Sequence, residues 1–240
     1  MEPAFVSLTF DDGLRCQFEH AVPILDQHHF PATFFLIANT DPVHMGGSEH
    51  TDWRKTGWNE NDIHFLKCMV EKGHEIGAHS VHHRFPFLDD DPAFEAEASK
   101  QWIQDRLGVE VPSYCYPFCH VTESIRNAVI KAGYHQARWG KQKSYIQRGF
   151  LDRFKVDCRE VLNEENVVEW VRPGCWHVVT FHGIGREQGG WNPVSVLEFS
   201  RQMAELAKLR DSGAVQVGTF DDGANRFRQA STHAASVPLS

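Results

Sequence analysis

Two adjacent aspartates, Asp11 and Asp12, follow the apolar run Phe5-Val6-Ser7-Leu8-Thr9-Phe10 and precede Gly13. Neighbouring carboxylates at the carboxyl end of a buried strand can divide labour, one holding a metal ion and the other moving a proton. His79 and His83 stand four residues apart in His79-Ser80-Val81-His82-His83. That spacing lets two imidazoles converge on one ion if the chain turns helically there. One carboxylate and two imidazoles form a three-ligand set that leaves positions for water or substrate, as a catalytic centre requires. His182 ends the run Val178-Val179-Thr180-Phe181, where an imidazole can protonate a leaving group or serve as a hydrogen-bonded rim residue.

Other residues offer weaker chemistry. Thr219-Phe220-Asp221-Asp222-Gly223 repeats the letters of Thr9 to Gly13, and there Asp-Asp-Gly reads as turn chemistry. Trp53, Trp58, Trp139 and Trp191 could stack on sugar rings or fill the core. Trp191 ranks first among them because Gly189-Gly190-Trp191 follows His182 within one loop. Cys115, Cys119 and His120 lack the second cysteine pair of a zinc finger, and sequence neighbours need not face each other as nucleophile and base.

The elements that would carry these residues alternate. Apolar runs predict strands at 5–10, 32–37, 74–78, 113–116, 134–139, 154–156, 176–181 and 214–220. Between them, apolar positions at steps of three and four predict helices, one through Phe18, Val22 and Leu25 and others after residues 62, 91, 124, 166 and 195. Gly73, Gly108 and Gly133 stand where helices stop. Seven or so strands alternating with helices indicate a parallel sheet, and closing it into a (β/α) barrel puts the strand ends on one face. Residues 1–229 are read as one catalytic domain and 230–240, small and polar, as a disordered tail. The aperiodic stretch 39–58 would wall a binding cleft.

Composition narrows the partners. A formal charge of −8 without a Lys/Arg run argues against nucleic acid, whose binding rests on phosphate neutralisation. The pI is near 6.0 and the mean hydropathy −0.42, as in a soluble globular chain. No apolar run is long enough for a membrane span. The six cysteines are dispersed and read as reduced thiols. Met1-Glu2-Pro3 leads straight into the first strand with no signal sequence, which favours the cytoplasm.

Taken in order, Thr9-Phe10-Asp11-Asp12-Gly13, Ala32-Thr33-Phe34-Phe35, His79 to His83, Tyr116-Pro117-Phe118 and the strand ending at His182 resemble the polysaccharide deacetylase family, carbohydrate esterase family 4. The resemblance runs from residue 4 to about 225. It implies a distorted parallel barrel, often of seven strands, and removal of acetyl groups from a chitin-, peptidoglycan- or xylan-like carbohydrate. By the same resemblance Asp11 is the general base, His182 the general acid, and Asp12, His79 and His83 hold one divalent metal, usually zinc. The Phe118 N–H would enter the oxyanion pocket, bordered by Tyr116, with Trp191 available to the substrate.

The family pattern is not complete. Cys115 stands where many members carry an arginine that pairs with the catalytic aspartate, so Arg138 or Arg153 is expected to replace it. Cys119 and His120 stand where glycine is common, and the fourth motif is reduced to Asp157. Cys115 and the absence of a signal peptide keep a same-fold hydrolase of a cyclic amide in view; the other alternative is an inactive carbohydrate-binding protein, against which the retained Asp11, Asp12, His79, His83 and His182 speak.

Overall fold

The computed structural model describes residues 2–38, 59–140, 145–162, 165–185 and 191–228. Its strands are β1 (Ala4–Phe10), β2 (Thr33–Leu36), β3 (Glu75–Ala78), β4 (Ser113–Cys115), β5 (Gln136–Arg138), β6 (Arg159–Glu160), β7 (Trp176–Phe181) and β8 (Val215–Val217). Seven run in the order β5-β4-β3-β2-β1-β7-β6, and every strand pair is parallel. The helices are α1 (Val22–Gln27), α2 (Glu60–Glu71), α3 (Phe85–Asp90), α4 (Pro92–Leu107), α5 (Glu123–Lys131), α6 (Val196–Asp211) and α7 (Phe220–Arg226).

β1 is central and buried along its whole length. One edge pairs with β7 from Phe5 opposite Trp176 to Phe10 opposite Phe181. The other edge is shared, with β8 at Ala4–Val6 and β2 at Thr9–Phe10. The sheet curls until residues ahead of β6 reach β5: Val156 N–H donates to Ala137 O at 3.0 Å, and Trp139 N–H donates to Val156 O at 2.8 Å. This is the parallel sheet expected from the alternation, curled into the distorted barrel that the resemblance implies.

The two faces of β1 explain where its chemistry points, because strand side chains alternate with a period of two. Val6, Leu8 and Phe10 join the large core under the helices, where Phe10 stacks on Phe34 at 4.7 Å and meets Phe181 at 5.5 Å. Phe5 joins a second cluster inside the curl with Phe35, Trp176 and Phe220. Ser7 accepts a hydrogen bond from Trp176 Nε1 at 3.0 Å, and Thr9 Oγ1 donates to Val179 O at 3.0 Å. Asp11 continues that interior row, as His182 continues the row Trp176, Val178, Thr180 on β7.

Three boundaries differ from the sequence reading. Val156 makes only an isolated bridge to Arg138, and the regular strand forms at Arg159–Glu160, where β7 offers a free edge. The helix expected through Val167, Val168 and Val171 is a 3₁₀ turn, Val167–Trp170, cut short by Pro173 and Gly174. The last strand stops at Val217 rather than reaching Phe220. Thr219 instead caps α7, with reciprocal bonds between its side chain and Asp222 N–H and between Asp222 and its own N–H. The second Thr-Phe-Asp-Asp-Gly is therefore a helix start. Among the described residues no helix is long and apolar enough to cross a membrane.

Candidate active site

β1 ends in a turn that separates its two aspartates. Asp12 has φ 72° and Gly13 φ 67°, and a Cβ on Gly13 would lie 2.8 Å from Leu36 Cδ2. The left-handed backbone there favours glycine. Asp11 keeps the direction of the strand and stays inside, whereas Asp12 swings toward the end of β3.

Asp11 is buried, and its Oδ2 is paired with Arg138 Nη2. Cys115 Sγ lies 3.8 Å and His182 Nε2 3.7 Å from the same oxygen, while among the described residues Oδ1 has no hydrogen-bond partner. Burial alone would push the carboxyl up. The Arg138 guanidinium, then His79 and His182, outweigh that and hold it below the usual carboxylate range. Arg138 is itself buried and donates at 2.7 Å to each of Thr180 Oγ1, Cys158 Sγ and Cys115 Sγ. Arg153, the other expected partner of Asp11, instead donates to Gln136 Oε1 at 2.8 Å.

Asp12 Oδ1 lies 3.6 Å from His79 Nε2 and 3.5 Å from His83 Nε2. His79 Nδ1 bonds Cys115 O at 2.8 Å, which fixes the tautomer and leaves Nε2 with a lone pair facing Asp12. Burial, then the neighbouring His83, pushes His79 down to about 4, so it is neutral at neutral pH, as a ligand must be. The segment does not turn helically as the spacing alone suggested. Ser80 and His83 take φ 66° and 53°, and His83 N–H donates to Ser80 Oγ at 2.9 Å. Glu95, buried on α4, accepts from Val81 N–H at 2.8 Å and His82 N–H at 3.0 Å. That anchor was not visible in the sequence, because a glutamate on an amphipathic helix ordinarily faces water.

The three ligand atoms lie within 4.8 Å of one another, as do those of a second group, Asp11, His79 and Cys115. The donor chemistry separates the two. In the second group Arg138 already sits against Asp11 and Cys115, and its charge opposes a cation. In the first, one carboxylate and two imidazoles face one point, a set suited to zinc and similar divalent ions.

His182 lies between Glu160 and the end of β1. Its Nδ1 lies 3.3 Å from Glu160 Oε1, and Gln17 Nε2 donates to His182 O at 2.8 Å and to Asp11 O at 2.6 Å. Gln17 thereby ties the ends of β1 and β7 together, a role its sequence context did not signal. Glu160, rather than the expected Asp157, lines the cavity with His182.

The cavity holds about 620 Å³ and is also lined by Tyr116, Phe118, Cys119, Gly140 and Trp191. Tyr116 is buried and its hydroxyl donates to Phe154 O at 3.1 Å. Phe118 has φ 56° and an exposed ring. Trp191 is 64 % exposed at the rim. Trp139 donates to Cys119 O at 2.5 Å, while Trp53, Trp58 and the rest of 39–58 lie outside the described residues. His120 turns to Asp89 at 2.8 Å, and among the described residues neither it nor Cys119 joins a metal-ligand group.

A family profile described as polysaccharide deacetylase matches residues 1–137. No curated protein matches the sequence. Among solved structures, the Xyl-CE4 domain of a multidomain xylanase from the hindgut metagenome of Trinervitermes trinervoides superposes with a TM-score of 0.61 at 18% identity, covering 94% of this chain and 91% of that one. A family 4 acetyl xylan esterase from Clostridium thermocellum, in complex with a cobalt ion, gives 0.60 at 17% identity, with coverage of 92% and 91%. A mutant of the pseudoenzyme BA3943 of the same family, with restored activity, gives 0.58 at 18% identity, covering 92% of this chain and 67% of that one. At these identities the superpositions establish the fold.

Proposed function

The chain belongs to the polysaccharide deacetylase family, and from that premise we propose that it is a metal-dependent hydrolase removing acetyl groups from an N- or O-acetylated carbohydrate. The observation that carries the reading is the convergence of Asp12, His79 and His83 beside a separate, Arg-paired Asp11 and His182. A divalent ion held by the first three, zinc by resemblance, would supply Lewis-acid polarisation of the acetyl carbonyl and acidify water.

The remaining work falls to the protein's own groups. Asp11 is ionised at neutral pH, and its carboxylate accepts the proton of the attacking water. Arg138 fixes Oδ2 and so aims Oδ1. His182 delivers a proton from Nε2 to the departing amine or alcohol, with the Glu160 carboxylate 3.3 Å from Nδ1 on the other edge of the ring. Phe118 contributes its backbone N–H to the developing oxyanion by family resemblance.

Cys115 at the family's arginine position is one of the features that keep a cyclic-amide hydrolase open. With Arg138 supplying that charge, it no longer separates the two readings. The test is metal content of the purified protein together with acetate release from acetylated xylan, chitooligosaccharides and peptidoglycan fragments, for wild type and Asp11→Asn. Bound metal with Asp11-dependent acetate release is the expected result. A metal-free protein that no added divalent ion activates on any of these substrates refutes the proposal.

A further inference from the structure

A second cleft opens at the opposite end of the sheet from the catalytic cavity. Pro112 and His135, immediately ahead of β4 and β5, line it together with Glu110, Arg153, Asp221 and Arg228. Cys115 and Arg138 mark the other ends of the same two strands. The cleft encloses about 430 Å³, within the range of roughly 300–1,000 Å³ that small-molecule sites occupy.

Its acidic and basic groups are unevenly matched. Asp221 Oδ1 accepts from Gln136 Nε2 at 2.7 Å, and Oδ2 accepts from Asn225 Nδ2 at 2.9 Å. Glu110 Oε1 lies 3.4 Å from His135 Nε2. Arg153 Nη2, by contrast, donates to the neutral amide oxygens of Gln136 and Asn225 at 2.8 and 3.3 Å, and among the described residues its buried Nε has no partner. Neither Arg153 nor Arg228 lies within ion-pair distance of a carboxylate among the described residues. The chain that follows, 229–240, contains no aspartate or glutamate. Burial, then the Arg228 charge beside it, pulls the Arg153 pKa down, and Asp221 offsets only part of that. Both guanidinium groups stay protonated, so two like charges face one cleft with donors to spare.

We infer that the cleft between Arg153 and Arg228 binds a small multivalent oxyanion, a phosphate or a polycarboxylate, at a site separate from the catalytic cavity. A guanidinium presents parallel N–H groups that match the oxygens of either anion. Glu110 and Asp221 border the arginines and repel an extended polyanion, so a compact ligand fits and a nucleic acid does not. The site does not depend on the reaction catalysed at the other end of the sheet.

The test is calorimetric titration of the purified protein with inorganic phosphate and with citrate at low ionic strength, for wild type, Arg153→Gln, Arg228→Gln and Asp12→Ala. The expected result is saturable binding by the wild type, weakened about ten-fold by each arginine substitution and unchanged by Asp12→Ala. The tighter of the two anions tells a phosphate ligand from a carboxylate one. Arg153 is bonded into the sheet through Gln136, whereas Arg228 is exposed, so Arg228→Gln decides the matter if melting curves show that Arg153→Gln is unfolded. No saturable binding of either anion, or binding indifferent to both arginines, overturns the site. Binding retained in both arginine variants and lost in Asp12→Ala places the anion at the metal-ligand triad and overturns it as well.

Discussion

Cys115 on β4 and Arg138 on β5 are register partners, and Arg138 reaches from that level to both the Cys115 thiol and the Asp11 carboxylate. The charge expected one strand away is thus delivered from the neighbouring strand at the same height in the sheet. The space that an arginine at 115 would fill holds a thiol whose pKa burial pushes well up, so it stays neutral.

Arg138→Leu should lower kcat by about 100-fold, the scale of removing one preorganised electrostatic contact. Without the guanidinium, burial governs Asp11 and its pKa rises. The acid limb of the pH–rate profile therefore moves to higher pH. The exchange Cys115→Arg with Arg138→Cys should restore part of the rate and move the limb back. A pH–rate profile for the three proteins checks both statements.

Asp12→Ala and His83→Ala should weaken divalent-metal affinity by about 100-fold or more, the upper end for changes outside the ligand shell. Asp11→Asn should retain metal while losing turnover. Metal analysis after dialysis against a graded chelator separates the two classes, and zinc added back after stripping should restore wild-type activity.

Glu160→Gln should reduce kcat by about 10- to 100-fold with little change in metal content, because the carboxylate acts through His182. Glu160→Asp should recover part of the loss. Asp157→Asn should leave kcat close to wild type.

Glu75, far down β3 from the site, supplies a stability test. It is buried, accepting from Thr33 Oγ1 and Asp221 N–H at 2.9 Å each, and burial pushes its pKa up to about 7. A carboxyl raised above its unfolded value stabilises the fold fully below about 4.5 and loses that contribution as pH rises through 7. Between pH 5 and 8 the loss is about 3 kcal/mol. Glu75→Gln, still able to accept both bonds, should flatten that slope. Urea unfolding at the two pH values measures it.

Much of this protein was legible in its sequence. Strand periodicity assigned Asp11 to the end of β1, and helix-stop glycines bounded α2, α4 and α5, because these signals lie within a few residues of one another. The four-residue His spacing likewise marked His79 and His83, although Ser80 and His83 in the left-handed region, not a helical turn, bring them together. Motifs alone could not distinguish the two Thr-Phe-Asp-Asp-Gly copies. Packing did: Thr9 bonds into β7 inside the sheet, while Thr219 follows the end of β8 and its side chain caps α7.

The sequence by itself thus determined the barrel class, the family and the residue types available for chemistry, since period, spacing and motif are local properties. Only the tertiary structure decided which partner each group meets. Arg138 lies 127 residues from Asp11 and Glu160 lies 22 from His182, and strand register, not chain proximity, sets both meetings. Glu95 beneath the histidine turn and Gln17 across two strand ends follow the same rule. Their neighbours exist only after the sheet has curled and the buried polar atoms have sought partners.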